Sequence, residues 1–146
     1  MAENQYQQPT ADSHDMSWFL NQIAREKGVL HALLLTDDGL KLAVSEGLDS
    51  AVADRTAASA AAAFSVGKSI AEFASCAGTK PKKIVFDLDD TSIFIFGAGH
   101  GTSVIVSVTQ HMTSKEAVTA ASAAIKAIAG LRPALSARAR TARGTT

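Results

Sequence analysis

Acidic side chains at the end of an apolar run are the strongest candidates for chemistry in this chain. Residues 84–86 are Ile, Val and Phe, and Asp87, Asp89 and Thr91 follow at two-residue intervals. A carboxylate can attack a phosphoryl group as a nucleophile, and a second carboxylate beside it can transfer the proton. A bound Mg²⁺ would neutralise the phosphate charge. The spacing is therefore compatible with a phosphatase that uses Asp87 and Asp89.

The Asp-x-Asp-x-Thr pattern resembles the first motif of the haloacid dehalogenase-like phosphatases. The resemblance implies a Mg²⁺-dependent enzyme with a parallel, doubly wound sheet, in which Asp87 is the nucleophile and Asp89 the general acid/base. That family needs a second acidic pair downstream, but here no Asp follows Asp90, and Glu116 is the only later Glu. The residues after Thr91 have the pattern strand, turn, strand. The sequence therefore favours a β-hairpin with an Asp-rich turn, because Asp bonds its own backbone in turns. The phosphatase is the alternative.

The remaining reactive side chains form no recognisable active site. The chain has four histidines, which are His14, His31, His100 and His111. None has the spacing of metal ligands, and the single cysteine, Cys76, has no base beside it in the sequence. The segment 97–101 is rich in Gly, but strand-like residues follow it instead of the helix that a phosphate-binding loop needs. We expect no enzyme, no metal and no cofactor.

The composition indicates one small domain without a strong electrostatic field. The chain has 146 residues, and its 14 basic and 14 acidic side chains balance. Such a chain has no global charge to recruit nucleic acid or an anionic membrane. The hydrophobic fraction is 47%, and much of it is Ala, which favours stabilisation by oligomerisation. One Cys and no apolar run of roughly 20 residues indicate a cytoplasmic protein, with any membrane contact made through partners.

The apolar periodicity predicts the element order α-β-β-α-β-β-β-α. A first helix runs from Ser13 or His14 to Gly28, and a last helix from Thr113 or Ser114 to Gly130. Between them lie a long helix and five strands, predicted at residues 29–35, 40–44, 82–88, 91–97 and 102–108. The short connections require antiparallel neighbours. The fold class is therefore α+β, with one five-stranded antiparallel sheet and helices on its faces.

This assignment of elements divides the chain into three segments. Residues 1–12 are polar and predict a disordered leader, and residues 13–130 form the domain. Residues 131–146 predict a flexible basic tail, which contains several Arg and no acid.

The long helix, predicted from the Asp49 cap to Ala77 with a stop at Gly78, has two apolar faces. One face is bulky at its ends and is expected to cover the sheet; it holds Val52, Thr56, Ser59, Ala63, Val66, Ile70 and Phe73. The other face consists mostly of small residues, which allow another helix to approach closely. We expect this second face to form a dimer interface through Ala53, Ala57, Ala60, Phe64, Gly67 and Ala71. A polar arc of the helix is a candidate partner surface, with Asp54, Arg55, Lys68 and Glu72.

Two segments of the sequence, considered together with the distance between them, resemble the Roadblock/LC7 family. They are the hairpin 31–43, HALLLTDDGLKLA, and the start of the long helix at 53–58, ADRTAA. The chain is similar to the actinobacterial members encoded beside a small Ras-like GTPase and a sensor-kinase-like protein. The resemblance covers about residues 14–130.

The resemblance implies a non-enzymatic adaptor that forms a homodimer through sheet edges and long helices. Its implied partner is a small Ras-like GTPase, whose nucleotide cycle it regulates or which it places in a signalling complex. A sensor-kinase-like protein is a second implied partner. Two alternatives to the adaptor remain, which are the phosphatase and a structural scaffold without a GTPase partner.

Overall fold

The computed structural model describes residues 11–99, 101–109 and 115. Over residues 11–109, the α-helices are α1 (Ala11–Ala24) and α2 (Ser50–Ile70). Its five strands are β1 (Val29–Thr36), β2 (Lys41–Val44), β3 (Lys83–Asp87), β4 (Ser92–Gly99) and β5 (Thr102–Val108). They form one sheet in the order β2-β1-β5-β4-β3, and every neighbouring pair is antiparallel. The predicted α+β class and five-stranded sheet are confirmed.

The ends of the chain lie largely outside the described residues. The predicted last helix and the basic tail 131–146 are among these, except that Lys115 is helical. At the other end, α1 begins at Ala11. The described helix thus includes the last two residues of the segment predicted as a leader, 1–12.

Helix α2 begins where predicted and ends earlier. The Asp49 carboxylate accepts the N–H groups of Ala51 and Val52 at 3.1 and 3.2 Å, which is an ordinary N-cap. The α-helix stops at Ile70, and a 3₁₀ turn continues over Ala71–Ala74. Ser75 then takes a left-handed conformation with φ 59°, which ends the helical geometry before the predicted stop at Gly78.

The sheet carries a hydrophobic core on each face. On one face, α1 contributes Met16, Leu20 and Ile23, which pack against alternate residues of β1, β4 and β5. On the other face, α2 packs against residues of opposite parity, which are Leu33, Leu35, Ile95 and Ile105. This alternation is the period of two that a strand imposes.

The two faces of α2 are exchanged relative to the prediction. The small-residue face, expected at a dimer interface, lies buried on the chain's own sheet through Ala53, Ala57, Ala60 and Phe64. The face expected to cover the sheet is exposed at Val52, Val66, Ile70 and Phe73. The physical reason is that the sheet already supplies large Leu and Ile side chains. Only small residues on α2 allow the helix to pack closely against these Leu and Ile side chains.

Two close backbone approaches require glycine beside α2. Gly39, in the β1–β2 turn, has φ +90°, and a Cβ there would lie 3.3 Å from the Ala58 Cα. Gly67 faces Pro81 in the connection to β3, and a Cβ at Gly67 would lie 2.5 Å from the Pro81 Cγ. Gly67, a residue of the predicted dimer interface, therefore packs against Pro81 of its own chain. Ala71, the last residue of that predicted interface, is half-buried.

We expect Ala57→Leu to lower the free energy of unfolding by about 1–3 kcal/mol, because its side chain has no free space between α2 and the sheet. Ala62→Leu is the matched control, since Ala62 is exposed on the same helix. Its effect should stay within about 0.5 kcal/mol. Urea unfolding of both variants measures the difference. Equal stability of the two variants would contradict the observed orientation of α2.

Gly67→Ala tests the contact with Pro81. Inside a helix this change usually stabilises by about 0.5–1 kcal/mol. Here the added Cβ overlaps the proline ring, so we expect a loss of about 1–3 kcal/mol instead. In a Pro81→Ala background the same change should be neutral or stabilising. A higher melting temperature for Gly67→Ala alone would show that the ring does not occupy this position.

Candidate interaction surface

The acidic motif that suggested phosphoryl transfer is a hairpin turn. Strands β3 and β4 are antiparallel, and the Leu88 N–H donates to the Thr91 carbonyl at 2.8 Å to close the turn. The Asp87 carboxylate accepts the Ser92 hydroxyl at 2.8 Å. The phosphatase alternative needs a parallel sheet around this motif, and the sheet that holds it is antiparallel throughout. Within the described ranges, no group of three or more His, Cys, Asp or Glu side chains could hold a metal ion.

Helix α2 leaves part of its face of the sheet uncovered. Its contacts with the sheet are concentrated on β1 and β2, at one side of the strand order. Between α2 and the other strands lies an apolar groove of about 300 Å³. Its floor comes from the sheet through Phe86, Ile93, Ile95 and Ile105. A smaller cavity of about 170 Å³ continues it and shares Val52, Thr56, Ile93 and Ile105.

The helical wall of the groove continues into an exposed apolar stripe. We call the exposed large residues of this side the outer stripe: Val52, Val66, Ile70 and Phe73. Their exposed fractions rise along the helix from 39% at Val52 to 96% at Phe73. A row of large apolar side chains in water is a typical sign of an interaction site.

The groove opens towards a free sheet edge. Strand β3 is the last strand of the sheet, and its outer side has no neighbour among the described strands. Phe86 on this strand lines the groove and is 44% exposed. Ile84 is partly buried on the same face. The groove, the outer stripe and the β3 edge therefore form one continuous candidate interaction surface.

The predicted polar arc does not form a single patch. The Asp54 carboxylate pairs with the Lys41 ammonium of β2 at 3.3 Å, on the side of α2 away from the groove. Arg55 lines the groove instead. Lys68 and Glu72, described and exposed near the end of the helix, make no ion pair with each other. The four residues are accessible, and they face different surroundings.

Sequence reasoning missed the sheet residues of this surface, Phe86, Ile93 and Ile105. A signal existed, because these strands alternate and offer apolar side chains to both faces. One helix is too narrow to cover five strands on one face. Combining these two facts would have placed an uncovered apolar strip beside α2.

No helix in the described part of the chain is both long enough and apolar enough to cross a membrane.

Comparison with known proteins agrees with this architecture. The family model of the Roadblock/LC7 domain matches residues 19–109. A solved Roadblock/LC7 domain from Streptomyces avermitilis is 31% identical, with 82% of this chain and 96% of that chain covered and a TM-score of 0.68. A search of curated protein sequences gives no match.

Two more distant structures share the fold. An MglB structure with a tetrameric arrangement is 18% identical, covers 87% of this chain and 92% of its own, and has a TM-score of 0.70. The gliding protein MglB from Thermus thermophilus is 20% identical, with 84% and 91% covered and a TM-score of 0.67. With the family model spanning most of the described residues and a close structural relative of the same family, the chain belongs to the Roadblock/LC7 family.

Proposed function

We propose that this protein is a non-enzymatic, homodimeric adaptor that regulates or localises a small Ras-like GTPase. Membership of the Roadblock/LC7 family supports the proposal, together with the resemblance to members encoded beside such a GTPase. The single observation that carries it is the continuous apolar surface formed by the outer stripe, the groove and the β3 edge. A surface of this kind is suited to bind protein.

The first partner is a second copy of the chain. The surface combines a free strand edge with an exposed helix face, and a second copy presents the same two elements. A two-fold axis beside β3 can join both edges into one sheet and bring each outer stripe towards the other copy, as an isologous interface requires. Burial of Val66, Ile70 and Phe73 in this way removes large apolar area from water.

The GTPase is the second partner, and it binds the surface that the dimer leaves exposed. Of the polar arc, Asp54 beside β2 and Lys68 and Glu72 near the end of the helix are exposed outside the groove and are available for this contact, whereas Arg55 lines the groove. Their mixed charge suits a reversible, polar contact. The adaptor then modulates the nucleotide cycle of the GTPase or places it in a signalling complex, with a sensor-kinase-like protein as an additional partner.

Val66→Asp tests the self-association. Val66 is 57% exposed, so the change should leave the monomer folded, whereas an Asp in a buried dimer contact loses its water. We expect the dissociation constant of the dimer to rise by about tenfold or more, measured by analytical ultracentrifugation. Ser65→Asp, one residue away on the exposed polar side, is the control and should not change it. Equal dissociation constants for the two variants would remove the outer stripe from the interface.

A nucleotide-dependent capture experiment tests the GTPase. The immobilised protein is exposed to cell lysate with GDP or with a slowly hydrolysed GTP analogue, and any retained GTPase is identified and purified. We expect direct binding of the purified GTPase, and loss of affinity in the double variant Lys68→Glu with Glu72→Lys. Hydrolysis and exchange rates with and without the adaptor then distinguish regulation from localisation. A stable dimer that binds no Ras-like GTPase in either nucleotide state would favour a structural scaffold.

A further inference from the structure

We propose that the groove between α2 and the sheet binds a small amphiphilic anion, of the class of medium-chain aliphatic carboxylates. The hydrocarbon tail lies on the apolar floor, and Arg55 holds the carboxylate head. The site is built by a single chain, so the inference goes beyond the proposed adaptor function and does not depend on the GTPase. It follows from the lining of the groove, its charge and its size.

The groove has an apolar floor and a helical wall. The floor consists of large aliphatic and aromatic side chains of three strands, which are Phe86, Ile93, Ile95 and Ile105. The wall comes from successive turns of α2 between Val52 and Ala63. An apolar lining with a few polar groups is the usual composition of a small-molecule site. An aliphatic chain on this floor removes both its own surface and the floor from water.

The charge of the wall favours an anionic head group. Arg55 is the only charged residue among the described residues that line the groove. Its exposed guanidinium makes no hydrogen bond or ion pair within the described part of the chain. A guanidinium binds a carboxylate through two parallel hydrogen bonds. The hydroxyls of Thr56 and Ser59 line the same wall and can donate to the same head group.

The size of the groove fits a small ligand and excludes a helix. One turn of an α-helix with its side chains occupies about 400–600 Å³, given its width and pitch. The groove has only about 300 Å³, so a helix of a second copy would rest on its rim and leave the floor free. At roughly 30 Å³ for each heavy atom, the volume of one water molecule in the liquid, the groove holds about ten heavy atoms.

The far end of the site is polar and limits the length of the tail. The smaller cavity that continues the groove is lined by His31 and Ser107, which are cross-strand neighbours on β1 and β5. The His31 Nδ1 is buried and has no hydrogen-bond partner within the described residues. A hydrocarbon tail that reached these two side chains would cover polar groups without pairing them, which is unfavourable. The favourable length of the tail is therefore the length of the groove.

Calorimetric titration of the wild-type protein with three ligands of equal tail length tests the head group. The ligands are decanoate, 1-decanol and decylamine, each below its micelle-forming concentration. We expect decanoate to bind about fivefold to tenfold more tightly than decanol, and decylamine most weakly, because only the carboxylate pairs with Arg55. Equal affinity for decanoate and decylamine, or no binding of decanoate, would overturn the proposal.

A chain-length series tests the tail. Each added methylene should raise the affinity about threefold to fourfold from hexanoate to decanoate, as expected for burial of apolar surface. Beyond decanoate the gain should stop in the wild type, because the tail reaches Ser107. In Ser107→Val the gain should continue to dodecanoate. A series that rises equally in both proteins would remove the polar end from the site.

Arg55→Gln separates the head group from the tail. The variant should lose about fivefold to tenfold in affinity for decanoate and keep its affinity for decanol, a pattern that unfolding cannot produce. Arg25→Gln is the matched control, since Arg25 is exposed just after α1 and does not line the groove. An unchanged affinity of Arg55→Gln for decanoate would contradict the role of Arg55.

Filling the groove should abolish binding of both ligands. Ala63 lines the groove, so Ala63→Leu places three further carbon atoms in the space of the tail. Ala62→Leu makes the same change one residue away, at an exposed position outside the groove, and should bind normally. Circular dichroism verifies that both variants are folded. Wild-type affinity of a folded Ala63→Leu would place the ligand elsewhere.

The ligand site and the self-association fail separately. Both the wild type and Val66→Asp should bind decanoate, because one chain builds the groove. Binding by Val66→Asp alone would show that a side chain of the second copy fills the groove in the dimer, which would overturn the proposal. A wild type that sediments as a monomer and binds decanoate would reject the self-association and leave the ligand site in place.

Discussion

The close packing of α2 on the sheet is the contact on which the rest of the molecule depends. Ala53, Ala57 and Ala60 have almost no exposed surface, and the sheet supplies the large side chains that fill the space beneath them. The β1–β2 turn reaches the same helix through Gly39, and Pro81 reaches it through Gly67. A larger residue at any of these places would lift the helix from the sheet.

The candidate interaction surface is a direct consequence of this packing. A helix that approaches by its small face must turn its large residues elsewhere, and here they form the outer stripe. The same helix covers β1 and β2 and leaves the groove above β4 and β5. The Pro81 contact fixes the connection from which β3 begins, so the packing of α2 also determines where the free strand edge lies. The fold and the candidate interaction surface therefore share one physical cause.

Local signals predicted most of the architecture from the sequence. The Asp-Gly turn, the Asp49 cap and the alternating strands placed the five strands and the starts of both described helices to within a few residues. The short β3–β4 connection correctly favoured a hairpin over a phosphatase motif, because adjacent strands joined by so few residues must be antiparallel. The helix end was less predictable, since Ser75 adopts a left-handed conformation that is uncommon for residues other than Gly.

The sequence by itself determined the order of elements, the fold class, the family resemblance and the two faces of α2. These depend on periodicity and turn chemistry, which are local along the chain. Only the tertiary structure decided which face of α2 meets the sheet, because that choice depends on the volume that Leu33, Leu35, Ile95 and Ile105 bring from distant positions. The helical periodicity of the sequence indicates that two faces of α2 are apolar. The space left by the opposing surface decides which of them is buried.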